Sequence, residues 1–167
     1  MSKTILRTPR LLLREFESGD VNFVLQLLNS PGWLQFIGDR NVRTAEDAYD
    51  YLANGPQKSY AQNGFGLWGV EDAATGNLIG MCGLIRRDTL EDVDIGFAFL
   101  PEYEGKGYAF EIASAVLLFA KMNLQLPRIV AITVSGNRRS VRLLEKLGMQ
   151  FEKMIRMGEE DLMLFSL

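Results

Sequence analysis

Residues 92–113 read DVDIGFAFLPEYEGKGYAFEIA, and the fold turns on them. Over residues 92–100 the side chains alternate. Asp92, Asp94 and Gly96 share one face of a strand, and Val93, Ile95 and Phe97 the other. A turn with glycines at 105 and 107 follows. Then Ala109, Ile112, Ala113, Val116, Leu117 and Ala120 recur at i, i+3, i+4, the stripe of a half-buried helix. Glycine lets a backbone approach a ligand closely. A helix N-terminus offers unpaired N–H groups and a partial positive charge. Strand, glycine turn and helix start together make an anion site suited to a pyrophosphate. The other reading of a lone GxG is a tight turn before a core helix. The missing GK[ST] ending argues against a P-loop, and the missing third glycine against a dinucleotide-binding fold.

Working outward, residues 65–71 and 78–85 read as a hairpin turning at residues 72–76. Residues 10–16 (RLLLREF) read as a first strand. Val21, Val24, Leu25 and Leu28 give helical spacing over residues 20–29, ended by Pro31-Gly32. Residues 33–38 are a short aromatic-rich stretch. Thr44, with Asp47 three residues on, starts a second helix, which Gly55-Pro56 interrupts. Downstream, residues 128–134 read as a strand and residues 137–147 as a helix stopped by Gly148. Residues 149–157 and 161–167 form a last hairpin. The order is strand, helices, three strands, helix, strand, helix, two strands: a mixed α/β fold around a central sheet.

The chain has 167 residues, 47% hydrophobic and 23% charged, with net charge −3. We expect one domain over residues 1–167, with a core that needs no disulfide or metal. No basic excess points to nucleic acid or an anionic membrane. The N-terminal stretch is broken by Arg and Pro and reads as neither signal peptide nor membrane span, so a reducing cytoplasm is expected. One cysteine, Cys82, makes neither an internal disulfide nor a zinc cluster. No residue is histidine. That removes Ser-His-Asp and Cys-His mechanisms, His zinc sites and a histidine base. Any chemistry must run on carboxylates, hydroxyls, backbone dipoles or a bound cofactor.

A second stretch, VSGNRRSVRLLEKLGMQFE (residues 134–152), sets Asn137 and Ser140 three apart at a helix start. Alone, it reads as an N-cap before core leucines. Together, residues 92–113 and the N-x-x-S-x-x-L-L-E-K-L-G-M pattern closely resemble the GNAT superfamily of N-acetyltransferases. Within it they look like the RimJ/RimL-type branch. The opening TPRLLLREFESGD (residues 8–20) and GLWGVEDAATGNLIGMCGL (residues 66–84) look the same, so the resemblance spans nearly the whole chain.

The resemblance implies the acyl-CoA N-acyltransferase fold, a mostly antiparallel sheet splayed at the cofactor site with flanking helices. It implies acetyl-coenzyme A as cofactor and transfer to an amine through a tetrahedral intermediate. The family's phosphate turn, Gln/Arg-x-x-Gly-x-Gly/Ala, falls on Glu104, Gly105, Lys106, Gly107, Tyr108 and Ala109. Glu104 departs from it, and a carboxylate there must point away or pair with Lys106. Residues 95–100, with Phe97, Phe99 and Leu100, would pair with the pantetheine arm, and an N–H near Phe99 would serve as oxyanion hole. Asn137, Ser140 and Arg139 would line the cofactor's other side. The usual catalytic tyrosine falls on Leu144, so Ser140 is the candidate to hydrogen-bond the leaving sulfur.

The resemblance also implies Asp94 as the best candidate base, since it aligns with an acidic residue at the start of the family's corresponding strand; a solvated edge charge is its other reading. Glu91, Asp92, Glu159, Glu160 and Asp161 stand in reserve. In the family the helical region after the first strand covers the acceptor side, so the resemblance implies an acceptor pocket near Trp33, Phe36 and Ile37, with Trp68 or Tyr103 contributing. Aromatics at this spacing also read as core. The acceptor is an amine, either a small molecule or a protein N-terminus, and the protein a monomer or homodimer. The alternative is a non-catalytic acyl-CoA-binding protein on the same fold.

Overall fold

The computed structural model describes residues 2–167. Eight strands form one sheet: β1 (Thr4–Arg7), β2 (Leu11–Arg14), β3 (Leu67–Asp72), β4 (Leu78–Ile85), β5 (Val93–Phe99), β6 (Ile129–Thr133), β7 (Gln150–Met157) and β8 (Glu160–Ser166). Their spatial order is β1-β2-β3-β4-β5-β6-β8-β7. Five helices flank them: α1 (Val21–Leu28), α2 (Ala45–Asn54), α3 (Pro56–Asn63), α4 (Tyr108–Met122) and α5 (Arg138–Lys146). The expected mixed α/β architecture is present, with two additions. β1 precedes the expected first strand, and α3 fills the stretch after Gly55-Pro56, starting on Pro56 and ending at Gly64 in the left-handed region.

The sheet carries a core on each face, as strand alternation requires. On one face, α4 buries its stripe, Ile112, Ala113, Val116, Leu117 and Ala120, against Trp68, Cys82, Leu84 and Ile95. Burying a large aliphatic side chain is worth about 1.5–3 kcal/mol, so this stripe fixes where α4 points its N-terminus. On the other face, Val24, Leu27 and Leu28 of α1 and Ala48 and Leu52 of α2 pack with Met81, Ala98 and Leu100. Thr44 caps α2: Asp47 N–H donates to Thr44 Oγ1 at 3.1 Å, and Thr44 N–H to Asp47 Oδ2 at 3.1 Å.

Every strand pair is antiparallel except β5–β6. That parallel seam has two rungs, Val93↔Ile129 and Asp94↔Val130. Beyond Asp94, β5 stays paired only with β4 and β6 only with β8. The two strands therefore diverge toward their C-terminal ends. The sheet is split there, and both the β5–α4 turn and the β6–α5 turn border the split.

Candidate active site

The register of β5 decides what faces the split. Leu100 N–H donates to Ile79 carbonyl at 3.0 Å, and Gly80↔Phe99 is the next pair inward with no bulge between them. In an antiparallel ladder the groups of alternate residues point to opposite sides. The N–H and C=O of Phe97 and Phe99 therefore turn away from β4, toward the split, with no strand to take them. Leu100 is the exception among the residues expected on this edge. Its N–H is spent on β4, and its side chain is buried in the α1/α2 core.

At the end of this edge the chain enters the glycine turn. Gly105 and Gly107 lie at φ +74° and +82°, in the left-handed region that glycine adopts without strain. Among the described residues, the N–H groups of Gly105, Gly107, Tyr108, Ala109 and Phe110 have no acceptor. They cluster, unpaired, at the start of a 15-residue helix, an arrangement suited to an anion. A brace from the far end of the chain holds it. Glu111 accepts from Thr8 Oγ1 (2.6 Å), Arg10 N–H (3.0 Å) and Arg10 Nε (2.7 Å), while Arg10 Nη1 donates to Lys106 carbonyl at 3.1 Å. The Arg10 guanidinium also lies 4.3 Å from the Tyr108 ring centre. Lys106 sends its amine over the Tyr103 ring, 5.8 Å from the centre, and does not line the cleft.

Across the split, Asn137 caps α5, accepting from Ser140 N–H at 3.2 Å. The Ser140 hydroxyl, half-buried, has no hydrogen bond among the described residues. Leu144 is buried one turn further on. Glu104 pairs with Arg139 and not with Lys106. The pair joins the β5–α4 turn to the start of α5, so the carboxylate is neutralised from across the cleft.

Asp94 is not a solvated edge charge. Its side chain is 1% exposed and accepts from Arg87 Nε at 2.9 Å and, more loosely, from Arg87 Nη2 at 3.4 Å. Burial pushes its carboxyl above the ordinary 3.8, and Arg87 opposes the rise. It shares a sheet face with Met81 and Ala98, the face covered by α1 and α2. On that face, Trp33 to Ile37 form a π-helical turn closed by Gly38 at φ +118°. Trp33, Phe36, Ile37, Asp94, Ser140 and the glycine turn all line one cleft of about 1140 Å³. Tyr103 and Glu160 border it as well, whereas Trp68 lies fully buried in the α4-side core and does not. Of the reserve acids, Asp92 is engaged by Arg128 at 2.9 Å and Asp161 by Arg156 at 3.0 Å.

Several residues of the site carried no mark in the sequence: Arg40, Tyr51 and Arg87, which line the cleft, and Arg10, which braces the glycine turn. Arg10 was within reach, since it opens the RLLLREF strand segment. Arg40, Tyr51 and Arg87 come from three separate loops and helices and carry no spacing signal. Among the described residues no helix is long and apolar enough to cross a membrane.

A family model described as an acetyltransferase (GNAT) domain matches residues 10–150. The uncharacterized protein YkkB of Bacillus subtilis is 32% identical over 159 residues, covering 93% of this chain and 90% of the relative. A spermidine N(1)-acetyltransferase of Vibrio cholerae is 27% identical over 140 residues, covering 83% and 78%. The crystal structure of a GNAT-family acetyltransferase from Bacillus anthracis superposes with TM-score 0.80 at 27% identity, covering 100% of this chain and 98% of that one.

Proposed function

The chain belongs to the GNAT acetyltransferase family, and from that premise we propose that it moves an acetyl group from acetyl-coenzyme A to a primary amine. We read residues 1–167 as one such domain of the RimJ/RimL-type branch, working in the cytoplasm. One observation carries the proposal: an acceptor-free anion cradle, an unpaired β5 edge and a buried carboxylate open onto the same cleft.

In this reading the N–H groups of Gly105, Gly107, Tyr108 and Ala109 hold the pyrophosphate, and the Phe97–Phe99 edge takes the pantetheine arm as a further strand. Arg139 and Asn137 border the same path, and Lys106 contributes as part of the turn. When bound, acetyl-coenzyme A supplies a thioester carbon open to attack by a neutral amine. The Phe99 N–H is placed to donate to the oxygen that gains charge. Asp94 takes the proton from the amine, its affinity for that proton raised by burial. Ser140 donates its uncommitted hydroxyl to the departing sulfur. Trp33, Phe36 and Ile37 wall the acceptor side. The acceptor is a small-molecule amine or a protein N-terminus. A binding-only role is the alternative, favoured by Leu144 standing where the family has a tyrosine.

The test is thermal melting with and without acetyl-coenzyme A, with NAD and ATP as controls, followed by thiol release across an amine panel. Ligand at a hundred times its Kd stabilises by about 2.7 kcal/mol, a rise of about 5–11 °C for a chain of this size. A rise specific to acetyl-coenzyme A with thiol release supports transfer. A rise with no thiol release on any amine supports the binding-only role, and no rise refutes both.

A further inference from the structure

The acceptor end of the cleft is lined by donors. Arg40 and Arg87 both border it, and so do Tyr51 and Trp33. Over the whole cleft, five basic side chains face three acidic ones. Of the acids, Glu104 is paired with Arg139, Glu160 is exposed at the start of β8, and Asp94 alone stands among the donors.

Arg40 has no ion pair or hydrogen bond among the described residues. The acid beside it, Asp39, is taken by Arg43. Arg40 folds back over the closing turn, with Nη1 3.4 Å from the point a Cβ on Gly38 would occupy. Arg87 spends Nε and Nη2 on Asp94, leaving Nη1 uncommitted among the described residues. The charges of Arg40 and Arg87 both reach the Tyr51 hydroxyl. Burial chiefly keeps that phenol protonated, so it stands as a donor. The fourth donor is the Trp33 indole N–H, the one buried side-chain polar atom without a partner among the described residues. A buried donor left unpaired is costly, and it sits in a π-helical turn, a geometry frequent at functional sites.

We propose that this end of the cleft binds the carboxylate of the acceptor, and that the acceptor is an α-amino acid or another amine with a carboxylate close to its nitrogen. This rests on the acetyltransferase reading above and names the substrate class for it. Arg40 and Arg87 Nη1 take the carboxylate, with Tyr51 donating a further hydrogen bond. Asp94, 2.9 Å from Arg87, faces the neighbouring ammonium. The site thus presents adjacent charges opposite to those an α-amino acid carries. A polyamine brings only cations to two arginines, and a protein N-terminus brings no carboxylate beside its nitrogen. In the transfer, the ammonium first loses a proton to solvent. The amine nitrogen then bonds to the acetyl carbon, its surplus proton passes to Asp94, and the C–S bond breaks to release coenzyme A as a thiolate, which takes a proton from solvent to become the thiol while Asp94 returns its proton to solvent.

The experiment compares free α-amino acids, the corresponding amides and methyl esters, and spermidine, scoring thiol release and the acetylated product by mass. The expected result is a kcat/KM at least about tenfold higher for acids than for their amides and esters, with spermidine lowest. Arg40→Gln should raise KM for the acids and bring the acid-to-amide ratio toward one, with Arg40→Lys retaining part of the preference. The melting rise given by acetyl-coenzyme A should persist in both variants, showing that they fold and that the cofactor end is intact. Equal or better turnover of amides, esters or spermidine overturns the carboxylate subsite while leaving the transferase reading standing. So does an acid-to-amide ratio that Arg40→Gln does not move. Absence of thiol release with every amine overturns the transferase reading and this subsite with it.

Discussion

Replacing Glu111 with alanine isolates the brace that holds the anion cradle. The carboxylate receives three hydrogen bonds, two of them from the Arg10 side chain and backbone and one from Thr8. Arg10 is half-exposed and recovers water on losing its partner, so that bond contributes at the low end. The Thr8 hydroxyl and the Arg10 N–H are less free to do so. Taken together, Glu111→Ala should cost about 2 kcal/mol, a fall in Tm of about 4–8 °C. The second effect is on binding. Arg10, once released, no longer fixes the Lys106 carbonyl, and the turn must be ordered by the ligand. One or two residues re-ordered at about 1 kcal/mol each weaken acetyl-coenzyme A by about tenfold. Melting curves and calorimetric titration with acetyl-coenzyme A read the two effects separately. A pH series adds a signature. Burial raises the Glu111 carboxyl, but the bonds from Thr8 and Arg10 outweigh it and hold the group below its ordinary 4.5. Such a group contributes its full stability above 4.5 and loses it as pH falls lower. The Tm gap between the wild type and Glu111→Gln should therefore be full near neutrality and narrow below 4.5. A Glu111→Ala Tm within about 1 °C of wild type, with affinity within about twofold, would refute the brace.

Gly107→Ala forces a side chain into a left-handed backbone and should cost about 1–2 kcal/mol in melting experiments. Gly105→Ala carries similar strain but meets nothing within 4 Å, whereas the Gly107 Cβ would lie 3.4 Å from Arg10 Nη2, so the difference between the two isolates that contact. Asp94→Asn should lower kcat/KM by about 10²–10⁴-fold. Because burial raises the Asp94 carboxyl above 3.8, the wild-type rate should fall as pH drops through that higher value, and the variant's profile should lack this limb. Ser140→Ala keeps the N–H that Asn137 accepts from, so Tm should hold while kcat falls about tenfold; an unchanged kcat removes Ser140 from the chemistry.

Where a segment carries a strong period, the sequence was readable: the α4 stripe, the β3–β4 hairpin and the Asn137 cap all lie where their residues place them. β1 escaped because Thr4–Arg7 is four residues long and has no buried position. α3 escaped because only Pro56 is buried, leaving no apolar stripe to detect. At the site, alternation correctly put Asp94 opposite Val93 and Ile95. It could not show that α1 and α2 cover that face, and so left a buried ion pair looking like a solvated charge. Glu104, expected to point away or to pair with Lys106, pairs instead with Arg139, 35 residues away. Such pairings depend on how β5 and β6 diverge, which no local pattern encodes.

The two-rung seam between β5 and β6 has a mechanical consequence. Backbone pairing ties the five-strand block β1–β5 to the three-strand block of β6, β8 and β7 at only one corner. An elongated ligand lodged in the divergence, and bonded to the exposed edge of β5, would act as mortar between the blocks. Each block would then draw rigidity from the other through the ligand, so that occupancy and cooperative unfolding become two views of one equilibrium.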